Sequence, residues 1–203
     1  MASSNVIRDP VQDQLLTSQN AALVVIDYQP VQVASIQSRD KRSLVANITS
    51  TIKLAKLFGL PIVLSTVNVK TGINQPTIKQ ISSLVPNLEP IDRTAINAWE
   101  DDDFVAAVKA TGRKKLVMTA LWTEACLTFP ALDALKEGYE VFPVVDAIGG
   151  TSLEAHNAGL ERIIRAGAKP TSWVQFACEL QRDWRRAATA KEFAGILFAV
   201  EGN

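Results

Sequence analysis

Three short stretches of this chain, residues 21–26, 61–66 and 115–121, are apolar almost throughout. Strands covered on both faces read as continuous hydrophobic runs, whereas strands with one wet face alternate. Such runs belong to a parallel sheet, and parallel neighbours need crossover connections, usually helices. The intervening sequence supplies them. Leu44, Ile48, Ile52, Ala55 and Leu57 recur at helical spacing and stop at Gly59. The acidic run 100–103 suits a helix start, because carboxylates complement unpaired amides, and it leads into an apolar segment ended by Gly112. Further helices are expected over 124–137 and 152–166, closed by Gly138 and Gly167. A fourth strand is expected over 139–145, a fifth over 172–175 and a short one near 90–92. Short helices are expected around 77–84, before Trp184 and across 189–198.

This alternation predicts an α/β fold with helices on both faces of one open, mainly parallel sheet. No Pro/Gly/Ser-rich linker divides the 203 residues, so a single domain over 1–203 is expected. Residues 1–14 read as a surface arm and 185–203 as a C-terminal helical extension.

Composition removes several function classes. Lys and Arg number 21, as do Asp and Glu, so the chain has no general attraction to nucleic acid or an anionic membrane. No apolar run reaches the length of a spanning helix, and the N-terminus lacks the pattern of a secretory signal. Two cysteines make no disulfide framework, and one histidine makes no His-rich zinc site. A cytoplasmic protein acting on a small molecule is expected, with no cofactor, metal, nucleic acid or membrane partner. Neither a P-loop nor a dinucleotide-binding glycine pattern is present; Gly149-Gly150-Thr151 is neither.

In sheets of this kind, functional groups gather at the carboxyl ends of strands. That rule selects Asp27, the loop after Thr66, residues 121–126 and Asp146. Asp27 reads either as a turn cap or as an acid or base. Cys126, at a helix start, reads either as a small buried hydrophobe or as a thiol whose thiolate the amide dipoles favour. Arg93 reads as a surface ion-pair partner or as a cation assisting an Asp–thiolate pair. His156 reads as part of a helix face or interface, with a Cys–His pairing as the other reading. Cys178 reads as core packing. Trp122, four residues before Cys126, reads as a pocket wall or as core.

Five segments in order are LVVIDYQ (23–29), IDRTAINAW (91–99), ALWTEAC (120–126), VDA (145–147) and ACELQRDW (177–184). Together they resemble the isochorismatase-like cysteine hydrolases, in the subgroup lacking the nicotinamidase metal site. The resemblance covers about residues 15–190 and implies a three-layer α/β/α fold with a mainly parallel five- or six-stranded sheet. It implies a catalytic Asp27, Arg93 and Cys126, with arginine where the wider family has lysine. It further implies a cis peptide at Leu121–Trp122, an oxyanion hole from the Trp122 and Cys126 amides, and tetramers or octamers. A substrate pocket formed by Trp122, Trp99 and Tyr28 is expected. The implied reaction is hydrolysis of a small amide or related C–N bond through a thioester. The second reading keeps the fold as a structural or small-ligand-binding oligomer. Isochorismatase itself cleaves a vinyl ether, so the family alone does not set the reaction.

Overall fold

The apolar runs form the centre of the sheet, as their lack of alternation requires. The structure is a computed structural model and describes residues 9–199. The strands are β1 (Ala21–Ile26), β2 (Ile62–Val67), β3 (Ile91–Arg93), β4 (Lys115–Ala120) and β5 (Glu140–Pro143). They lie in the order β3-β2-β1-β4-β5, every neighbouring pair parallel. Central β1 is fully buried; Val24 pairs with Val63 on one side and Met118 on the other.

Its side chains divide between two cores. Leu23 and Val25 point into a face covered by α2 (Lys41–Leu57), α7 (Trp173–Gln181) and α8 (Ala187–Ala199). Ala22, Val24 and Ile26 point into a face covered by α4 (Asp102–Ala110), α5 (Thr128–Lys136) and α6 (Leu153–Arg165). The result is a three-layer α/β/α sandwich with five strands among the described residues. None of their helices is long and apolar enough to cross a membrane.

Three local expectations need correction. Residues 172–175 are no strand: only Thr171 bridges to Val144, and the chain then enters α7. Ser172 accepts from the Gln175 amide at 3.1 Å, and the Asp146 carboxylate accepts from the Trp173 amide at 2.9 Å. These caps satisfy amides that a helix start leaves unpaired, and short apolar runs cannot distinguish strand from helix. Tyr28-Gln29-Pro30 reads in the sequence as the exit into a loop, but a six-residue α1 (Pro30–Ser35) follows β1, with Pro30 in its first turn, where a missing N–H costs nothing. Cys178 is exposed: α7 buries Trp173, Phe176, Ala177 and Leu180, and Cys178 lies off that face. The short helix expected at 77–84 is α3 (Lys79–Ser82), and the extension is α8 as far as Ala199. Residues 1–8 of the expected arm and 200–203 of the extension lie outside the described residues.

Candidate active site

From β1 the chain passes through β2 and β3 on one side, then returns to place β4 on the other. The connections therefore diverge between β1 and β4, and the crevice at their carboxyl ends is where such sheets bind ligands. Asp27 ends β1 and Cys126 follows β4, so both arrive at that crevice.

Asp27 leaves the strand with φ 61°, in the left-handed region. Asp tolerates that region better than most residues. Its amide still donates to the Ser65 carbonyl at 3.0 Å. Arg93, ending β3, reaches across β2 to meet the Asp27 carboxylate. Nη1 donates to Oδ1 at 2.8 Å and Nη2 to Oδ2 at 2.7 Å, a two-pronged pair with both side chains fully buried. Ser65 Oγ and the Thr66 carbonyl accept two further bonds at 2.9 and 3.0 Å, and the Ile96 carbonyl a third at 3.2 Å. Burial opposes the Arg93 charge, but Asp27 and then Cys126 and Asp101 raise its pKa above the ordinary value. Arg93 is thus a fixed cation. The adjacent Asp92 holds the loop beyond β2, accepting from Thr66 Oγ1 and the Val69 and Lys70 amides.

Cys126 lies in a single π-turn, Thr123–Leu127, before α5. Its defining bond is Leu127 N–H to the Trp122 carbonyl at 3.1 Å. The Leu121–Trp122 peptide is cis. Cys126 is 7% exposed, and its thiol lies within the influence of the Asp27 carboxylate, the Trp122 backbone and the Arg93 cation. Burial first, then the charge and hydrogen bond of Asp27, push the thiol pKa up to about 12. Of the influences on this thiol, the helix-start dipole that would favour a thiolate is outweighed by burial and a neighbouring anion.

The raised value carries a stability consequence. The folded state holds the Cys126 proton more tightly than the unfolded chain, whose thiol titrates near 9. The associated stabilisation is complete below about pH 9 and lost as pH rises toward about 12. Urea titrations across that window should therefore show a steeper alkaline loss for the native chain than for Cys126→Ser. Parallel curves would refute the assignment.

Behind the π-turn stands α6. Its buried positions are His156, Gly159 and Ile163, and a Cβ on Gly159 would lie 2.8 Å from Glu124 Cα and 2.9 Å from Thr128 Oγ1. Gly159→Ala should cost about 1–3 kcal/mol through this overpacking, read as a lower urea midpoint. An unchanged midpoint would mean that α6 can retreat freely.

The other expected site residues lie as follows. Tyr28 has no exposed surface, and its hydroxyl donates to the Ala147 carbonyl, so it belongs to the core. Trp99 packs edge-on against Phe104 and Tyr139, and its indole donates to Glu137 at 2.8 Å. Glu137 and Tyr139 precede β5 at the amino ends of the strands, opposite Cys126, so Trp99 does not wall the site. Trp122 is half-buried and donates its indole N–H to Ser35 Oγ of α1 at 2.6 Å. His156 meets Thr123 rather than the thiol. Asp146 caps α7. Among the described residues no group of three or more His, Cys, Asp or Glu is placed to hold a metal ion. A recess of about 820 Å³ between residues 11–20 and Lys114, Lys115 and Lys169 lies at the far end of the sheet and touches none of the three site residues.

The three-layer fold with its five parallel strands agrees with the family comparison. The isochorismatase domain model matches residues 21–175, and the chain belongs to the isochorismatase family of hydrolases. It is 38% identical over 171 residues to the probable hydrolase YcaC of Escherichia coli K12, covering 84% of this chain and 82% of that protein. The structure resembles YcaC from Pseudomonas aeruginosa with hexane-2,5-diol and covalent acrylamide, at TM-score 0.82 and 32% identity, covering 92% and 96% of the two chains. It also resembles the Escherichia coli YcaC gene product, described as an octameric hydrolase of unknown specificity, at TM-score 0.81 and 33% identity, covering 93% and 97%. Nicotinamidase PncA of Bacillus subtilis shares the fold, at TM-score 0.63 and 17% identity over 75% of this chain and 99% of that one.

Proposed function

We propose that the protein is a cysteine hydrolase of a small amide or related C–N compound, with Asp27, Arg93 and Cys126 as its catalytic group. The observation that carries this reading is the buried thiol lying under the influence of a carboxylate that Arg93 grips at both oxygens. A thiol titrating near 12 is a poor nucleophile at neutral pH unless a base removes its proton during attack, and Asp27 is the group in place to do so.

As sulfur bonds to the carbonyl carbon, the S–H proton moves to Asp27. The Trp122 and Cys126 amides receive the developing oxyanion. Asp27 then gives the proton to the leaving nitrogen as the C–N bond breaks, leaving a thioester. Water adds to the thioester, with Asp27 taking one proton and returning it to sulfur as the acid departs. The sum is amide plus water giving acid plus amine. Arg93 moves no proton, since guanidinium stays charged throughout. It holds Asp27 in position and keeps a positive charge beside the reacting thiol. The half-buried Trp122 is the apolar wall we assign to the substrate.

The covalent acrylamide in the Pseudomonas aeruginosa relative, an amide on a reactive alkene, is in keeping with this chemistry. The octameric Escherichia coli relative supports a homo-octamer here. The test is a screen of small primary amides for ammonia release, comparing native chain and Cys126→Ser, with intact mass on quenched reactions. Turnover lost in Cys126→Ser and a transient acyl adduct on Cys126 are the expected results. Turnover that survives Cys126→Ser would remove the thioester from the mechanism. A folded native octamer that binds amides without turning them over would favour a ligand-binding role.

A further inference from the structure

The single histidine of this chain is 5% exposed on the buried face of α6. That face otherwise carries Gly159 and Ile163, so packing alone asks for an apolar residue. A buried imidazole is costly unless bonded. Its Nδ1 shares a 2.8 Å hydrogen bond with Thr123 Oγ1, the first residue of the π-turn that presents Cys126.

Every polar group of Thr123 is held. Its amide donates to the Gly149 carbonyl at 2.9 Å, and its carbonyl accepts from Thr128 Oγ1 at 2.6 Å. The hydroxyl is the one tie from this residue to α6. Next along the turn, Glu124 Oε1 accepts from both the amide and the hydroxyl of Thr151, at 2.9 and 2.6 Å. A Cβ on Gly150 would stand 2.5 Å from Glu124 Oε2 and 2.9 Å from His156 Cβ, which closes the gap between turn and helix. The charged groups acting on the imidazole are Arg39 and Glu124. Burial chiefly, then Arg39, lower its pKa, against the pull of Glu124. At neutral pH it is an uncharged hydrogen-bonding group.

We infer that His156 is a positioning residue: through Thr123 it fixes the π-turn from behind and holds the Cys126 sulfur within reach of Asp27. This rests on the reading of Cys126 as nucleophile. It predicts that an apolar side chain of similar bulk at 156 keeps the fold but lets the sulfur drift from its base.

The experiment uses the full chain in a Cys178→Ser background, since the exposed thiol would otherwise react first. Cys126 alkylation by iodoacetamide at neutral pH is followed by intact mass, and crystal structures of the variants give the sulfur position. His156→Leu should change the alkylation rate about tenfold or more, the scale of effect for a displaced reacting atom. His156→Asn, whose amide can occupy the Nδ1 position, should restore most of the native rate. Thr123→Val should match His156→Leu, and the double variant should depart from the native rate no further than either single one. In the crystals, sulfur should lie farther from Asp27 than in the native protein in the first and third variants and at the native distance in His156→Asn. Should His156→Leu fail to fold, Thr123→Val, which changes one hydroxyl, carries the same test. An unmoved sulfur in Thr123→Val or His156→Leu overturns the inference, whether or not the thiol reacts. A sulfur that moves while native Cys126 proves inert overturns the nucleophile reading and leaves the positioning role standing.

Discussion

Asp27→Asn is expected to make the Cys126 thiol more acidic and at the same time to abolish hydrolysis. Two of the influences that raise this thiol toward 12, the charge and the hydrogen bond of Asp27, disappear with the carboxylate. Arg93 then faces the sulfur without its anion, and its attraction for a thiolate adds to the fall. Asn tolerates the left-handed backbone at position 27, so the substitution tests charge rather than strain. More thiolate would ordinarily mean a faster nucleophile. Here the variant lacks the group that returns a proton to the leaving nitrogen and activates water, a loss of about 10²–10⁴-fold in turnover. Ultraviolet titration of the thiolate in a Cys178→Ser background reads the first effect, and ammonia release from an amide substrate the second. A thiol that titrates as in the native chain would mean that Asp27 does not act on the sulfur, and the proposed mechanism would fall with it.

Arg93→Gln should be the most destabilising change at the site. Removing one partner of a buried ion pair leaves an uncompensated charge in the interior and costs about 3–5 kcal/mol. In this chain the orphaned group would be Asp27, with no exposed surface. The Asp27→Asn/Arg93→Gln double variant, which has no buried charge at this position, should recover part of the stability while remaining inactive. Urea denaturation of the two single variants and the double closes the cycle. If Arg93→Gln unfolds at the native midpoint, water must reach Asp27 and the pair is not the buried anchor described here. Arg93→Lys should rescue only partly, because an ammonium cannot make two parallel bonds to one carboxylate.

What could be read from the sequence divides along the range of the interactions. The unbroken apolar runs of β1 and β4 are local signals, and they gave the parallel sheet, its central strands and the positions of Asp27 and Cys126. Two other signals were local but ambiguous. Residues 172–175 pattern equally well as strand or helix, and the Asp146 side chain that settles the matter is distant in sequence. α1 is too short for periodicity to register. The approach of Arg93 to Asp27 was one of two open readings of that residue, and the family pattern alone favoured it, because it depends on a three-residue strand placed two positions from β1. Trp99 went astray for the converse reason: it follows the arginine closely in sequence, yet its chain segment turns it toward the opposite end of the sheet. The scaffold of Thr123, Glu124, Thr151 and His156 was missed altogether. Its traces were a histidine in register with the packed face of α6 and glycines at 150 and 159 where backbones approach closely.

The placement of β1 between β2 and β4 also governs how the molecule is made. Ala21 pairs with Lys115, so one side of the central strand has no partner until more than half of the chain has left the ribosome. Until then the nascent polypeptide presents an unprotected apolar edge, the kind of surface on which intermediates stick to one another. The docking of β4 closes that edge and in the same motion brings Cys126 to Asp27. The proposed catalytic group and escape from aggregation are thus acquired together, late in synthesis, and substitutions that weaken the β1–β4 pairing should reduce the yield of soluble protein before they reduce the activity of the molecules that fold.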